Sequence, residues 1–145
     1  MALWLFKSEP STWSWDEQVA AGRDGTAWTG VRNYQARNFM RAMKPGERGF
    51  FYHSNEGKAV VGIVEVAAEA HPDETAEKPG LWECIDLRAV MPLPRAVPLD
   101  AVKANPRLSD MVLATNSRLS VQPVREEEFR TICEMGGLDP DEALG

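Results

Sequence analysis

The stretch 58–67, Lys-Ala-Val-Val-Gly-Ile-Val-Glu-Val-Ala, places the tightest constraint on the fold. In an extended chain Val60, Gly62, Val64 and Val66 fall on one face, and Val61 and Ile63 on the other. A strand that is apolar on both faces needs cover above and below, so it belongs inside a sheet. Residues 2–7, Ala-Leu-Trp-Leu-Phe-Lys, make the same demand. At 145 residues the chain suits one domain with one substantial core. The apolar run 59–64 stops at Glu65, far short of the ~20 residues that cross a bilayer. The apolar start lacks a basic leader and meets Lys7 and Glu9 too early for a signal peptide. The expectation is a soluble, cytoplasmic protein with no membrane partner.

The remaining elements follow from periodicity and punctuation. Ser14 or Ser11 caps a short helix over 15–21, with Asp16 and Glu17 at its positive end. Gly22 and Gly25 open a loop carrying Trp28, Gly30 and Val31. In 32–43, Ala36, Phe39, Met40 and Met43 recur at helical spacing, and Pro45-Gly46 stops the helix. Residues 47–54 and 58–67 read as a hairpin around Ser54-Asn55-Glu56-Gly57. A polar loop spans 70–80 and a strand 81–91. Pro92, Pro94 and Pro98 forbid its continuation except at a sheet edge. Short helices follow at 98–104 and 107–113, then a strand at 119–124. A closing helix at 125–135 turns Phe129, Ile132 and Cys133 inward. Strands without regular βαβ alternation predict a mixed α+β, mainly β fold: a partly closed barrel of five to six strands with helices outside. Residues 1–137 form the domain, and the acidic remainder, 138–145, is expected to fray.

Charge is unevenly distributed. The net charge of −6 resides in residues 126–145, while residues 1–125 are neutral and segment 23–58 carries +4. Nucleic-acid affinity must come from that local patch, which disfavours a non-specific coating protein. Arg37, Arg41 and Lys44 form a basic line on the helix over 32–43, either a solvated face or a phosphate contact. Cys84 and Cys133 have no metal-ligand or redox spacing and read as buried thiols. With His53 and His71 as the only histidines, neither a metal nor another cofactor is implied.

No nucleophile elbow, phosphate loop, dinucleotide glycine pattern or zinc-protease motif is present. Binding signatures are richer. There are five tryptophans; Trp4, Trp13 and Trp15 are assigned to the core. Trp28, in a glycine-flanked loop before the basic helix, either plugs the core or walls a pocket. Asn33, Tyr34, Gln35 and Asn38 gather amides and a hydroxyl at a helix start, where Asn33 is either a cap or a reader of a base edge. Three polar clusters sit at strand ends: Lys7-Ser8-Glu9-Pro10, Tyr52-His53-Ser54 and the run Ser117-Arg118-Leu119-Ser120-Val121-Gln122-Pro123. Strand ends of a small barrel converge on one mouth.

Lys-Ser-Glu-Pro at 7–10, Trp-Thr-Gly-Val-Arg-Asn-Tyr-Gln-Ala-Arg-Asn at 28–38, Phe-Tyr-His-Ser at 51–54, Val-Gly-Ile-Val-Glu-Val at 61–66 and Arg-Leu-Ser-Val-Gln-Pro at 118–123 resemble the EVE domain family, which includes the thymocyte nuclear proteins. The resemblance runs from about residue 2 to 137 in order. It implies a PUA-like barrel related to the YTH, ASCH and SRA folds, whose members read modified bases in RNA or DNA. By motif, it carries ligand or base binding onto Ser8, Trp28, Val31, Asn33, His53, Ser54, Arg118 and Ser120.

The leading expectation is a non-catalytic module that reads a modified nucleobase in DNA or RNA, held in an aromatic and polar pocket. Trp28 would stack on the base, Asn33 and Ser8 would bond its edge, and Arg32, Arg37, Arg41, Lys44 and Arg118 would face phosphates. Two other readings stand beside it: a sensor of a nucleoside-like small molecule, and an RNA-processing enzyme using Lys7, Glu9 or His53 as acid and base.

Overall fold

The computed structural model describes residues 2–77, 80–116 and 118–145; Ser117, named in the third polar cluster, lies outside them. Six strands, β1 (Leu3–Ser8), β2 (Thr26–Ala27), β3 (Arg48–His53), β4 (Ala59–Pro72), β5 (Glu83–Pro98) and β6 (Val121–Val124), form one sheet in the order β2-β5-β4-β3-β1-β6. The β1–β3 pair is parallel and every other neighbouring pair antiparallel. The sheet is open, since its edges β2 and β6 do not pair with each other. The helices are α1 (Trp15–Ala20), α2 (Tyr34–Ala42), α3 (Leu99–Ala104), α4 (Val112–Thr115), α5 (Glu126–Met135) and α6 (Pro140–Leu144), with a 3-10 turn at Pro106–Leu108.

Both sheet faces are covered, as the doubly apolar strands require. Leu5, Phe50, Val60 and Ile63 pack on one side against Val102, Leu113, Phe129 and Ile132 from α3, α4 and α5. Trp4, Phe6, Phe51, Val64 and Ile85 pack on the other against Ala36 and Met40 of α2. The helix start is resolved at Ser14, whose side chain caps α1 in a reciprocal box with Glu17.

The structure departs from strict alternation within β4. Phe51 faces Gly62 while the next residue, Tyr52, faces Val60, so Val61 is the extra residue of a β-bulge. Val60 therefore joins the first cluster and Val64 the second, although their spacing places them on one face. Gly62 lies under the Trp15 ring, which a Cβ at this position would overlap.

Other differences have local causes. β4 runs on through Ala70 and His71, and β5 runs through Pro92 and Pro94 to Pro98. The proline-rich half is tolerated because β2 pairs only with Asp86 and Leu87, leaving the rest of β5 as an edge. The 107–113 helix resolves into the 3-10 turn and α4. The acidic terminus forms the short helix α6. Asp139 caps α6, Ala143 is buried, and Arg130 bridges to Asp141 at 3.0 Å. Cys84 and Cys133 are buried free thiols, pushed up by burial to about 11 and about 12.

Candidate nucleic-acid interface

The C-terminal end of β1, the loop after it, the segment from β2 to Arg32, and Ser120 enclose a cavity of ≈ 620 Å³. Ser8 Oγ donates to the Trp13 carbonyl at 2.5 Å, and the Thr12 and Trp13 N–H groups both donate to the Glu9 carbonyl at 2.9 Å. This tight loop turns Trp13 back over the strand end. Trp13 Nε1 donates to Gln18 Oε1 (2.9 Å), and Gln18 Nε2 to the Leu87 carbonyl (2.9 Å). Gln18 is fully buried, so the indole is anchored through α1 to β5. Lys7 N–H donates to the Ser120 carbonyl at 2.9 Å, fixing the opposite rim. Burial lowers the pKa of the Lys7 ammonium.

Trp28 settles both of its open alternatives at once: it lines the cavity and it is only 8% exposed. Its ring meets Phe6 and Phe51 edge to face, each at 5.7 Å, and its backbone N–H donates to the Ile85 carbonyl. The loop that follows is held by Asp73, a buried carboxylate on the β4–β5 connection. Asp73 Oδ2 accepts from the Gly30 N–H (2.9 Å) and Arg32 Nη1 (3.0 Å), while Oδ1 accepts from the Thr75 N–H (2.8 Å) and hydroxyl (2.6 Å). Burial opposes ionisation of this carboxyl, but the bonds from Thr75, Gly30 and Arg32 outweigh it and hold the pKa at about 2.

Of the residues singled out from the sequence as candidate ligand, phosphate or acid–base groups, Lys7, Ser8, Glu9, Trp28, Val31, Arg32 and Ser120 line the cavity. The others lie elsewhere. Asn33 caps α2, its Oδ1 accepting from the Ala36 N–H at 2.9 Å. His53 Nε2 accepts from the Trp15 N–H at 3.0 Å and its ring abuts Phe51. Burial lowers the His53 pKa, which favours the neutral ring that this bond requires. Ser54 joins the β3–β4 turn, its N–H donating to the Ser8 carbonyl. Arg118 is exposed, with its N–H on Asn116 Oδ1. Arg41 pairs with Glu83, Arg37 donates to the Leu81 carbonyl at 3.0 Å, and Lys44 follows the far end of α2.

Sequence reasoning missed Trp13, Thr12, Thr26 and Thr29 as lining residues, and Gln18 and Asp73 as their supports. The spacing of Trp13 just after the flagged Lys7–Pro10 cluster was the available signal. The local Asp73–Thr75 contact marks only a turn, and the partners that tie Asp73 to the cavity, Gly30 and Arg32, lie about forty residues away.

Cys84, His71 and Asp86 stand together, with His71 Nε2 at 2.8 Å from Asp86 Oδ1. The sulfur lies 3.8 and 3.9 Å from the two ring nitrogens. With the thiol pushed up to about 11, the arrangement is no activated nucleophile. No group of three or more His, Cys, Asp or Glu among the described residues is arranged to hold a metal ion. No described helix is long and apolar enough to cross a membrane.

The comparisons with known proteins agree with this fold. The family model of the EVE domain matches residues 2–135. Human thymocyte nuclear protein 1 is 36% identical over 168 residues, covering 94% of this chain and 75% of that protein. Protein Atu2648 from Agrobacterium tumefaciens shares 62% identity at a TM-score of 0.93, over 95% of this chain and 94% of that one. Human THYN1, solved in complex with 5-methylcytosine-containing DNA, is 35% identical with a TM-score of 0.86, over 97% and 100% of the two chains. The YTH domain of Zygosaccharomyces rouxii MRB1 shares the fold at 18% identity and a TM-score of 0.57, over 93% and 86%. Matched along nearly its whole length, this chain belongs to the EVE domain family.

Proposed function

We propose that this protein is a non-catalytic module that reads a modified nucleobase in a nucleic-acid strand, held in the cavity between Trp13 and Trp28. The observation that carries the reading is the cavity itself. Its ≈ 620 Å³ lies in the ~300–1,000 Å³ range of small-ligand sites. Two indoles supply apolar walls, the hydroxyls of Ser8, Thr12, Thr26, Thr29 and Ser120 supply donors and acceptors, and Arg32 marks the rim. The human relative solved with 5-methylcytosine DNA supports the same ligand class and makes 5-methylcytosine the first candidate. Of the acid–base candidates, Lys7 and Glu9 line the cavity, whereas His53 accepts from the α1 backbone outside it. The cytoplasmic location belongs to this proposal, and imaging the tagged protein in cells tests it.

A methyl group contributes about 0.8 kcal/mol on burial, or only about four-fold in affinity. Strong selectivity therefore requires a penalty against the unmodified base, such as a hydroxyl left unpaired. Titration by tryptophan quenching, with matched single strands that do or do not carry 5-methylcytosine, tests the reading. Saturable binding that favours the modified strand is expected. Trp13→Ala is the cleaner variant, lowering affinity about 5- to 150-fold if the indole stacks on a base. Trp28→Ala instead empties a packed site between Phe6 and Phe51 and costs about 3–5 kcal/mol of stability. Equal affinity for both strands in the wild type would remove the claim of modification reading. Binding of free nucleosides without strands would point to the small-molecule sensor.

A further inference from the structure

Beside the cavity the surface carries an aromatic feature that holding one base does not use. Tyr34, the first residue of α2, and Trp82, just before β5, set their rings 5.0 Å apart at 31°. Arg37 lies over both, 4.9 Å from the Tyr34 ring centre and 5.8 Å from that of Trp82. Arg32, which lines the cavity, lies 5.8 Å over the same Trp82 ring. Cavity and aromatic pair therefore share one side chain and form a continuous surface.

Tyr34 is too exposed for a packing role alone, while Trp82 is half-buried. Tyr34 is 58% and neighbouring Leu81 37% exposed, and among the described residues only Val19 is another large apolar side chain so exposed. Arg37 donates to the Leu81 carbonyl and to Asn38 Oδ1 and has no carboxylate partner among the described residues, whereas Arg41 is neutralised by Glu83. An exposed tyrosine ring with an uncompensated guanidinium beside it matches a base and its phosphate.

We propose that Tyr34, Trp82 and Arg37 form a stacking platform for the nucleotide next to the one held in the cavity, on one side of it only. The proposal rests on the base-reading function above and adds the strand context that the module recognises. The single-sidedness follows from the platform's position, since it adjoins only the Arg32 rim.

The probes are free 5-methyl-2′-deoxycytidine and single-stranded heptanucleotides with 5-methylcytosine at the centre and 2-aminopurine on its 5′ or its 3′ side. Wild-type protein is expected to quench 2-aminopurine on one side only. Tyr34→Ala, at an exposed position, is expected to abolish that quenching and to weaken heptanucleotide binding at least about five-fold. Its affinity for the free nucleoside should stay unchanged. Unaltered heptanucleotide affinity, an equal loss for nucleoside and heptanucleotide, or wild-type quenching on both sides or neither overturns the platform and leaves the cavity reading standing. Failure of the wild type to bind any of the probes overturns the cavity reading, and the platform with it.

Discussion

Asp73 places a single carboxylate between four donors, from Gly30, Arg32 and Thr75, and so decides the shape of the cavity's outer loop. An isosteric amide keeps one acceptor oxygen and presents an N–H₂ to groups that themselves donate. Asp73→Asn should therefore loosen the loop and weaken ligand binding while the sheet persists. The pH dependence follows from the pKa held at about 2 against an ordinary 3.8. A carboxyl depressed by folding contributes its stability fully above the ordinary value and loses it as pH falls toward the folded one. The contribution is about 2 kcal/mol. In thermal melts, wild type should exceed Asp73→Asn from pH 7 down to about pH 4, and the gap should close toward pH 2. A gap undiminished at pH 2 would contradict the role. At this scale the sequence named Ser8, Trp28, Val31 and Ser120 by motif and Arg32 as a phosphate contact, and all five line the cavity. Asp73 and Gln18 stayed hidden, because a buried polar residue is recognisable only from its distant partners.

At the scale of elements, the bulge at Val61 has consequences well beyond β4. By shifting the pleat it sends Val60 and Val64 to opposite faces and leaves Gly62 flat beneath the Trp15 ring. Trp15 begins α1, its N–H is held by His53, and the same helix carries Gln18, the anchor of Trp13. The Gly62→Ala variant should push the indole outward, costing about 1–3 kcal/mol. Denaturant titration measures that loss. Combining it with Trp15→Leu should cost less than the sum of the single changes, since both act on one contact. Strict additivity would contradict the packing account. Helix starts at Ser14 and Asn33 were legible because caps are local chemistry. The bulge was not, because two-residue periodicity carries no record of where a partner strand slips.

For the whole molecule, a net charge of −6 must coexist with affinity for a phosphate backbone. Arg32 and Arg41 already face Asp73 and Glu83, and Arg48 and Arg88 both face Glu65. Beside the cavity and along α2, the cations foremost for phosphates are Arg37, without a carboxylate partner among the described residues, and the exposed Arg118. Binding to a single strand should thus show a shallow salt dependence, with log K falling by about 1 to 2 per decade of salt, equivalent to two or three phosphates. Titration across a range of salt concentrations measures the slope. A slope steeper than about −4 would indicate backbone capture rather than base reading.

The doubly apolar strands, the capped amphipathic helices and the family motifs are short-range patterns. From them alone the sequence determined a covered, mostly β sheet and the region where binding residues gather. The cavity was decided by tertiary structure. The parallel pairing of β1 with β3, the bulge in β4 and the reach of Asp73 bring together residues 7–13, 26–32, 73 and 120, which share no periodicity. Packing likewise gave Asn33 and His53 hydrogen bonds within the fold and set Trp13, packed against the core, on the cavity wall as well. A side chain's type is written in the chain, but what it faces depends on long-range contacts whose register and depth no local pattern encodes.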